Sequence, residues 1–351
     1  MKKYRFAIIG CGVIAPWHAD AINSIPEAEL VAVADVVEEK AKALGEKYRV
    51  DWYTDFHKVL EREDVDIVNI CTPSGLRRDI AVPAAKAGKH IISEKPLEVT
   101  LEKADEIIKT CEERGVKLAV IFQSRFSDAA RTVKSALEKG KFGQLVYGEA
   151  SLKWYRTQEY YDSAGWRGTW AMDGGGALMN QGIHNVDLLQ WMMGEVDTIF
   201  AYTGLLAHEK IEVEDTAIAV LKFKNGALGS IVAMTSAYPG YARRIEIYGT
   251  KGTAVMENGR IKVWNFKEED EEDQKIKEAI SQKEERVATG ASSATAGLSY
   301  EEHRRQILDF INSLEENRPP LVDGREGRKS IEIILGIYTS ARERREVKLP
   351  L

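Results

Sequence analysis

Cysteine is scarce in this chain: its 351 residues hold three, Cys11, Cys71 and Cys111, far apart and without a CxxC spacing. An odd, scattered set excludes a disulfide scaffold or zinc ribbon and fits a reducing compartment. Nor does any uninterrupted apolar stretch approach the ~20 residues of a membrane helix. The first apolar run, Phe6-Ala7-Ile8-Ile9, stops at Gly10 and is too short for a signal-peptide core. An excess of positive charge is missing as well, since 49 Lys plus Arg face 55 Asp plus Glu, a formal charge of −6. That balance argues against a general binder of phosphate backbones. The expectation is a cytoplasmic protein with neither a nucleic-acid nor a membrane partner.

What is present is an ordinary globular composition, long enough for roughly two domains of ~150 residues. From Tyr4 to about Val120, short β-branched runs alternate with segments of helical period. Strands are expected at Arg5-Ile9, Leu30-Ala34, Ile67-Ile70, His90-Ile92 and Lys117-Val120. They are almost wholly apolar, as in a parallel sheet with both faces covered. This predicts an α/β, doubly wound Rossmann domain over 1–123.

The turn after the first strand reads Gly10-Cys11-Gly12-Val13-Ile14-Ala15 and opens directly into a helix. Gly10 permits the tight turn, Gly12 lets a pyrophosphate approach the backbone, and Ala15 allows close strand–helix packing. The helix start then offers N–H groups to the anion. Asp35 ends the second strand 20 residues after Ala15. There it reads either as acceptor for the ribose hydroxyls, which favours NAD over NADP, or as a helix N-cap. Later strand ends face the same side: Thr72-Pro73-Ser74, Glu94-Lys95-Pro96 and Gln123. With Gly10, Gly12, Val13, Ile14 and Asp35, these make up the expected cofactor-binding set. Lys95 is read either as a donor to an alcohol oxygen or as a surface lysine of a loop.

Beyond Gln123 the alternation changes. A helix near Asp128-Lys139 is followed by long strands at Leu145-Trp154, Val196-Tyr202, Asp215-Phe223, Ala227-Thr235, Arg243-Gly249, Gly252-Met256 and Arg260-Trp264. The turns Lys224-Asn225-Gly226, Gly249-Thr250-Lys251-Gly252 and Glu257-Asn258-Gly259 signal hairpins. Runs of strands without helices predict a second, α+β domain over 124–351 with a large, mostly antiparallel open sheet. That sheet is broad enough to serve as an oligomer interface.

Three consecutive glycines, Gly174-Gly175-Gly176, imply close approach of the backbone to something. Asn180, His184 and Asp187 follow at i, i+4 and i+7, on one face of a helix. His184 fits a general base, with Asp187 one turn on to orient it, or else the group is polar packing. No metal is expected, because no second histidine or cysteine is suitably spaced. Upstream, Trp154-Tyr155-Arg156 and Trp166-Arg167 interleave aromatics with arginines, a pattern suited to sugar or base rings and to carboxylate or phosphate, or to core tryptophans flanked by surface arginines. The acidic run Glu268-Asp273 is expected to be solvated, and the small residues Ala291-Ala296 carry no assigned chemistry.

Taken together, Gly10-x-Gly12-x-x-Ala15, Glu94-Lys95-Pro96 and the glycine run leading to His184 resemble the Gfo/Idh/MocA family of dinucleotide-dependent oxidoreductases over essentially the whole chain. The resemblance implies that Lys95 and His184 are catalytic and that a sugar, polyol or related alcohol is oxidised with NAD. It also implies a dimer or tetramer built through the C-terminal sheet. Asn180 stands where inositol-dehydrogenase-like members have aspartate, and Arg77 where many have histidine. With Trp166-Arg167-Gly168-Thr169-Trp170, these departures resemble the branch that oxidises C3 of UDP-N-acetyl-glucosaminuronate. Lys95, Arg156, Trp166, Arg167, Asn180 and His184 are then the expected substrate contacts, with Asn180 orienting substrate or histidine. The alternatives are an inositol, polyol or free-sugar dehydrogenase and, in another class, an NAD-binding ligand sensor without turnover.

Overall fold

The computed structural model describes residues 3–284 and 300–351. The stretch Ala291-Ala296 lies outside them. The described residues form two compact units, 3–123, 171–174 and 300–331 in the first and 124–170, 175–284 and 332–351 in the second. A single cut after Gln123 therefore captures only the first crossing of the chain, because two later segments return to the first unit.

In the first unit, β1 (Tyr4–Ile9), α1 (Ala15–Asn23), β2 (Ala28–Ala34), α2 (Glu38–Tyr48), β3 (Asp51–Tyr53), α3 (Phe56–Leu60), β4 (Ile67–Ile70), α4 (Arg77–Lys86), β5 (His90–Ser93), α5 (Leu101–Arg114) and β6 (Leu118–Val120) follow in order. The strands form one parallel sheet in the order β3-β2-β1-β4-β5-β6. All four residues of β4 are buried, the signature of a strand covered on both faces.

The second unit holds α6 (Asp128–Glu138), β7 (Leu145–Lys153), α7 (Gln158–Asp162), a π-helical turn (Ala177–Gly182) and α8 (Ile183–Met193). After these come β8 (Val196–Gly204), β9 (Thr216–Phe223), β10 (Leu228–Met234), β11 (Arg244–Gly249), β12 (Gly252–Glu257), β13 (Arg260–Phe266) and α9 (Glu271–Glu284). The chain closes with α10 (Glu301–Glu315), α11 (Gly324–Glu343) and β14 (Val347–Lys348).

The sheet order is β13-β12-β11-β7-β10-β9-β8-β14, antiparallel except for β7 beside β10. All three expected hairpins close as tight turns between neighbours: β9–β10, β11–β12 and β12–β13. Strand β9 alternates strictly, with Ala217, Ala219, Leu221 and Phe223 inside and Ile218 and Val220 outside.

Helix α10 returns to the first unit for an apolar reason. Its Ile307, Phe310 and Ile311 join Ile22 and Ile25 in the core beneath β1. Each such buried side chain contributes about 2 kcal/mol. Lys117 Nζ fastens the end of α10 by donating to the Ser313 carbonyl at 2.8 Å.

The acidic run is not simply solvated. Asp273 is fully buried, accepting from Trp264 Nε1 at 2.8 Å and Lys141 Nζ at 2.6 Å. Asp270 accepts the Glu272 and Asp273 N–H groups, each at 3.0 Å, at the start of α9. Asp270 and Asp273 thus help anchor α9, which sequence alone cannot reveal because Lys141 lies far upstream.

Candidate active site

In the first unit, the β1–α1 turn is shaped as its glycines require. Gly10 has φ +98°, and a Cβ there would lie 2.8 Å from Cys71 C and Thr72 N. At Gly12 a Cβ would meet nothing within 4 Å, so the protein leaves the backbone open on that side. Ala15 is fully buried in the core below. Val13 projects outward, 76% exposed, at the mouth of this turn. Asp35 is tied to the same turn: Oδ2 accepts the Cys11 N–H at 2.8 Å and Oδ1 the Val37 N–H at 2.8 Å. It caps no helix, since the residue at the start of α2 is Val37. Its unused lone pairs stay available to ribose hydroxyls.

At the ends of β4 and β6, Thr72 Oγ1 and Gln123 Oε1 are buried without a hydrogen-bond partner. Orphaned polar atoms at the carboxyl ends of parallel strands are where a dinucleotide is held. Pro73 and the buried Ser74 lead into a single 3₁₀ turn, Ser74–Leu76. The residues present therefore fit NAD.

Glu94 is bonded within the first unit. Its carboxylate turns inward, Oε1 accepting from His18 Nε2 at 2.9 Å and Oε2 from the Lys95 N–H at 3.1 Å. Asn69 Nδ2 approaches His18 Nδ1 at 2.8 Å, and His303 Nε2 stands 3.7 Å from Glu94. His18, Glu94 and His303 form a buried cluster whose ligand-type atoms lie within 4.8 Å of one another. Its shortest link, at 2.9 Å, has hydrogen-bond length. Burial holds His18 below its ordinary value. Burial opposes the Glu94 charge too, but the His18 donor and the nearby His303 ring outweigh it and keep that carboxyl well below the usual range. Lys95 itself is half-buried, in a loop whose Lys95–Pro96 peptide is cis.

Arg77 was not foreseen as a supporting group. Its buried guanidinium donates to the Thr72 carbonyl (3.2 and 3.0 Å), to the Glu94 carbonyl (2.7 Å) and to the Pro96 carbonyl, stitching the ends of β4 and β5 together. Burial pulls it down to about 10, so it stays charged at neutral pH.

In the second unit the aromatic and arginine residues converge. The Arg156 guanidinium lies over Trp154 (4.9 Å) and Tyr160 (5.2 Å), and that of Arg167 over Tyr160 (4.4 Å) and Trp166 (4.7 Å). Arg167 donates to Tyr160 Oη at 2.7 Å. Gln181, unremarkable in sequence, joins them: Oε1 accepts from Arg156 at 2.9 Å, and Nε2 donates to Tyr160 Oη and to Asn180 Oδ1. Its only sequence signal is adjacency to Asn180. Among the described residues neither arginine has a carboxylate partner. Burial holds Arg156 below its ordinary value, and the neighbouring Arg167 charge adds to this. Two cations over one ring without an anion make a receptor for a carboxylate or phosphate.

Asn180 stands in the π-helical turn and His184 in the first turn of α8, both half-buried. The expected continuous α-helix is thus widened at its start, a feature common at functional sites. Asp187 pairs with Arg125: both its oxygens accept from the guanidinium, at 2.8 and 2.7 Å, in a fully buried pair.

An open Gly12 turn, an acid at the end of β2 and orphaned polar oxygens at the strand ends define a dinucleotide-binding Rossmann protein. Residues 4–122 match the model of the oxidoreductase family with an NAD-binding Rossmann fold, and 130–255 that of the GFO/IDH/MocA C-terminal domain. The chain is 30% identical to the myo-inositol 2-dehydrogenase of Thermotoga maritima over 98% of both proteins. Solved structures similar to it include the WlbA dehydrogenase of Bordetella pertussis with NADH and UDP-GlcNAcA (37% identical, 100% and 99% covered, TM-score 0.90). That of Chromobacterium violaceum with the same ligands is 36% identical (100% and 97% covered, TM-score 0.90). The chain belongs to the Gfo/Idh/MocA family of oxidoreductases. No helix among the described residues is long and apolar enough to cross a membrane.

Proposed function

We propose that this dehydrogenase oxidises the C3 hydroxyl of a UDP-linked N-acetylamino-sugar uronate. The observation that carries the reading is the pair Arg156 and Arg167 stacked on Tyr160 beside Gln181 and Asn180, with no carboxylate among the described residues to neutralise it. A uronate carboxylate or a diphosphate supplies the missing anion, and Trp166 offers a face to a ring. Similarity at 36–37% identity to WlbA dehydrogenases crystallised with UDP-GlcNAcA supports this substrate class.

His184 takes the hydroxyl proton as general base. Lys95 donates a hydrogen bond to the alcohol oxygen and stabilises its developing negative charge. Asn180, fixed by Gln181, orients the sugar. When bound, NAD supplies the hydride acceptor; Gly10, Gly12, Val13, Ile14, Asp35, Thr72, Pro73, Ser74 and Gln123 hold it.

We further propose a cytoplasmic homo-oligomer. Three free, buried cysteines agree with a reducing compartment. A second copy covers the open sheet face, where Tyr202, Ile218, Val220 and Leu228 are half or more exposed.

NADH formation with UDP-N-acetyl-glucosaminuronate, UDP-N-acetylglucosamine and myo-inositol tests the substrate. Turnover confined to the uronate is expected. Turnover of myo-inositol alone overturns the assignment in favour of the polyol reading. Lys95→Ala and His184→Ala are each expected to lower kcat by ~10²–10⁴.

A further inference from the structure

Glu214 is almost completely buried in the second unit and lies outside the cofactor and substrate sets described above. It receives three successive donors at the start of the π-helical turn. Gly176 N–H donates to its Oε2 at 3.0 Å, Ala177 N–H to its carbonyl at 3.0 Å, and Leu178 N–H to its Oε1 at 2.8 Å. The first N–H groups of a helical segment have no acceptor within it. Here a distant carboxylate caps them, and its negative charge suits that end of the dipole. Tyr338, on α11, donates its hydroxyl to Glu214 Oε1 at 2.9 Å. Trp170 packs edge-on against the Tyr338 ring, with centroids 5.2 Å apart.

The glycine run has its explanation in this approach. A Cβ on Gly176 would overlap the Glu214 carbonyl oxygen, and one on Gly175 the Tyr338 hydroxyl. Within the second unit, the backbone comes close to Glu214 and Tyr338. Asn180 lies two residues beyond the last capped amide, and His184 begins the helix that continues the same turn.

We infer that Glu214 is a positioning residue whose ionised carboxylate, braced by Tyr338, fixes the turn from which Asn180 and His184 act. The inference rests on the catalytic reading of those two residues. A carboxylate accepts both amides and the phenol at once. A protonated acid turns one acceptor into a donor facing donors, and the cap loosens. Burial raises the Glu214 carboxyl to about 7, while its backbone and Tyr338 donors pull the other way. The titratable group facing it from α11 is the Tyr338 phenol; the turn offers only backbone N–H groups. Its chain neighbour Asp215 is turned to the amides of 206–208 and to His208.

The test uses the full-length enzyme and its Glu214→Gln, Tyr338→Phe and His184→Ala variants. Measurements are kcat and KM against pH, NADH affinity, and amide hydrogen exchange of residues 175–184 corrected for intrinsic rates. Glu214→Gln is expected to lower kcat by on the order of tenfold to a hundredfold, the scale of a misplaced reacting group. NADH affinity should be retained and exchange across 175–184 should accelerate. Tyr338→Phe removes a donor that favours the ionised form, so the acidic limb of its kcat–pH profile should move to higher pH. Unchanged exchange in Glu214→Gln, or an unmoved acidic limb in a folded Tyr338→Phe, overturns the inference. So does full turnover in Glu214→Gln when His184→Ala has lost it. Full turnover in His184→Ala instead overturns the catalytic reading beneath it.

Discussion

Arg156 donates to the side-chain oxygen of Gln181 at 2.9 Å, and through it a cation in the β7–α7 loop is joined to the turn that carries Asn180. The backbone of Arg156 is held as firmly. His208 Nε2 donates to its carbonyl at 2.8 Å, while Asp215 holds the other ring nitrogen at 3.0 Å. The proposed anion site is therefore built on a fixed frame. Arg156→Ala and Arg167→Ala should each raise KM for the anionic UDP-sugar at least about tenfold, the scale of one charged hydrogen bond. Steady-state kinetics of the two variants checks this, and a KM unchanged in both removes the arginines from substrate binding.

Asp35 serves two purposes, since it braces the Cys11 amide and presents lone pairs at the end of β2. Asp35→Ser should weaken NAD binding and narrow the NAD-over-NADP preference in kcat/KM by roughly tenfold or more, because the repulsion toward a 2′-phosphate is gone. Fluorescence titration of NAD and steady-state kinetics with both cofactors decide it. An unaltered preference means discrimination lies elsewhere.

Arg77 draws the strand ends of Thr72 and Glu94 together through one planar fork. Lysine keeps the charge but not the geometry. Arg77→Lys should cost about 2–4 kcal/mol of stability, because buried carbonyls lose their donors. Chemical denaturation gives the number, and NAD affinity should fall with it as the β4 and β5 ends separate.

Glu214 also predicts a pH dependence of stability. Its carboxyl lies at about 7 in the folded protein against 4.5 ordinarily. A value raised on folding means that the folded state holds the proton more tightly. Burial therefore makes ionisation cost the fold as a whole even while the ionised form tightens the turn: the stabilising contribution is full below pH 4.5 and is lost as pH rises through 7. The loss is roughly 3 kcal/mol at alkaline pH. Denaturation at pH 5 and 8 should show wild type losing about this much more than Glu214→Gln. Equal slopes would put the carboxyl back in its ordinary range.

Much of the first unit could be read from local pattern. The glycine turn, the acid at the end of β2 and the apolar strands each depend on residues within one supersecondary unit. Three-residue β3 and five-residue α3 escaped, because neither spans enough residues to show a period. The hairpins of the second unit were legible for the same local reason. The parallel pairing of β7 with β10 was not, since it joins strands some 80 residues apart.

By itself, the sequence determined the class of fold and the NAD cofactor, because these rest on short-range propensity and spacing. Only the tertiary structure decided what each charge is for. Asp187 binds Arg125, Glu94 turns to His18, Arg77 ties two strand ends, and Glu214 caps a turn 38 residues earlier in the chain. A buried charge must find a partner wherever the fold brings one, and that choice leaves no trace in local sequence.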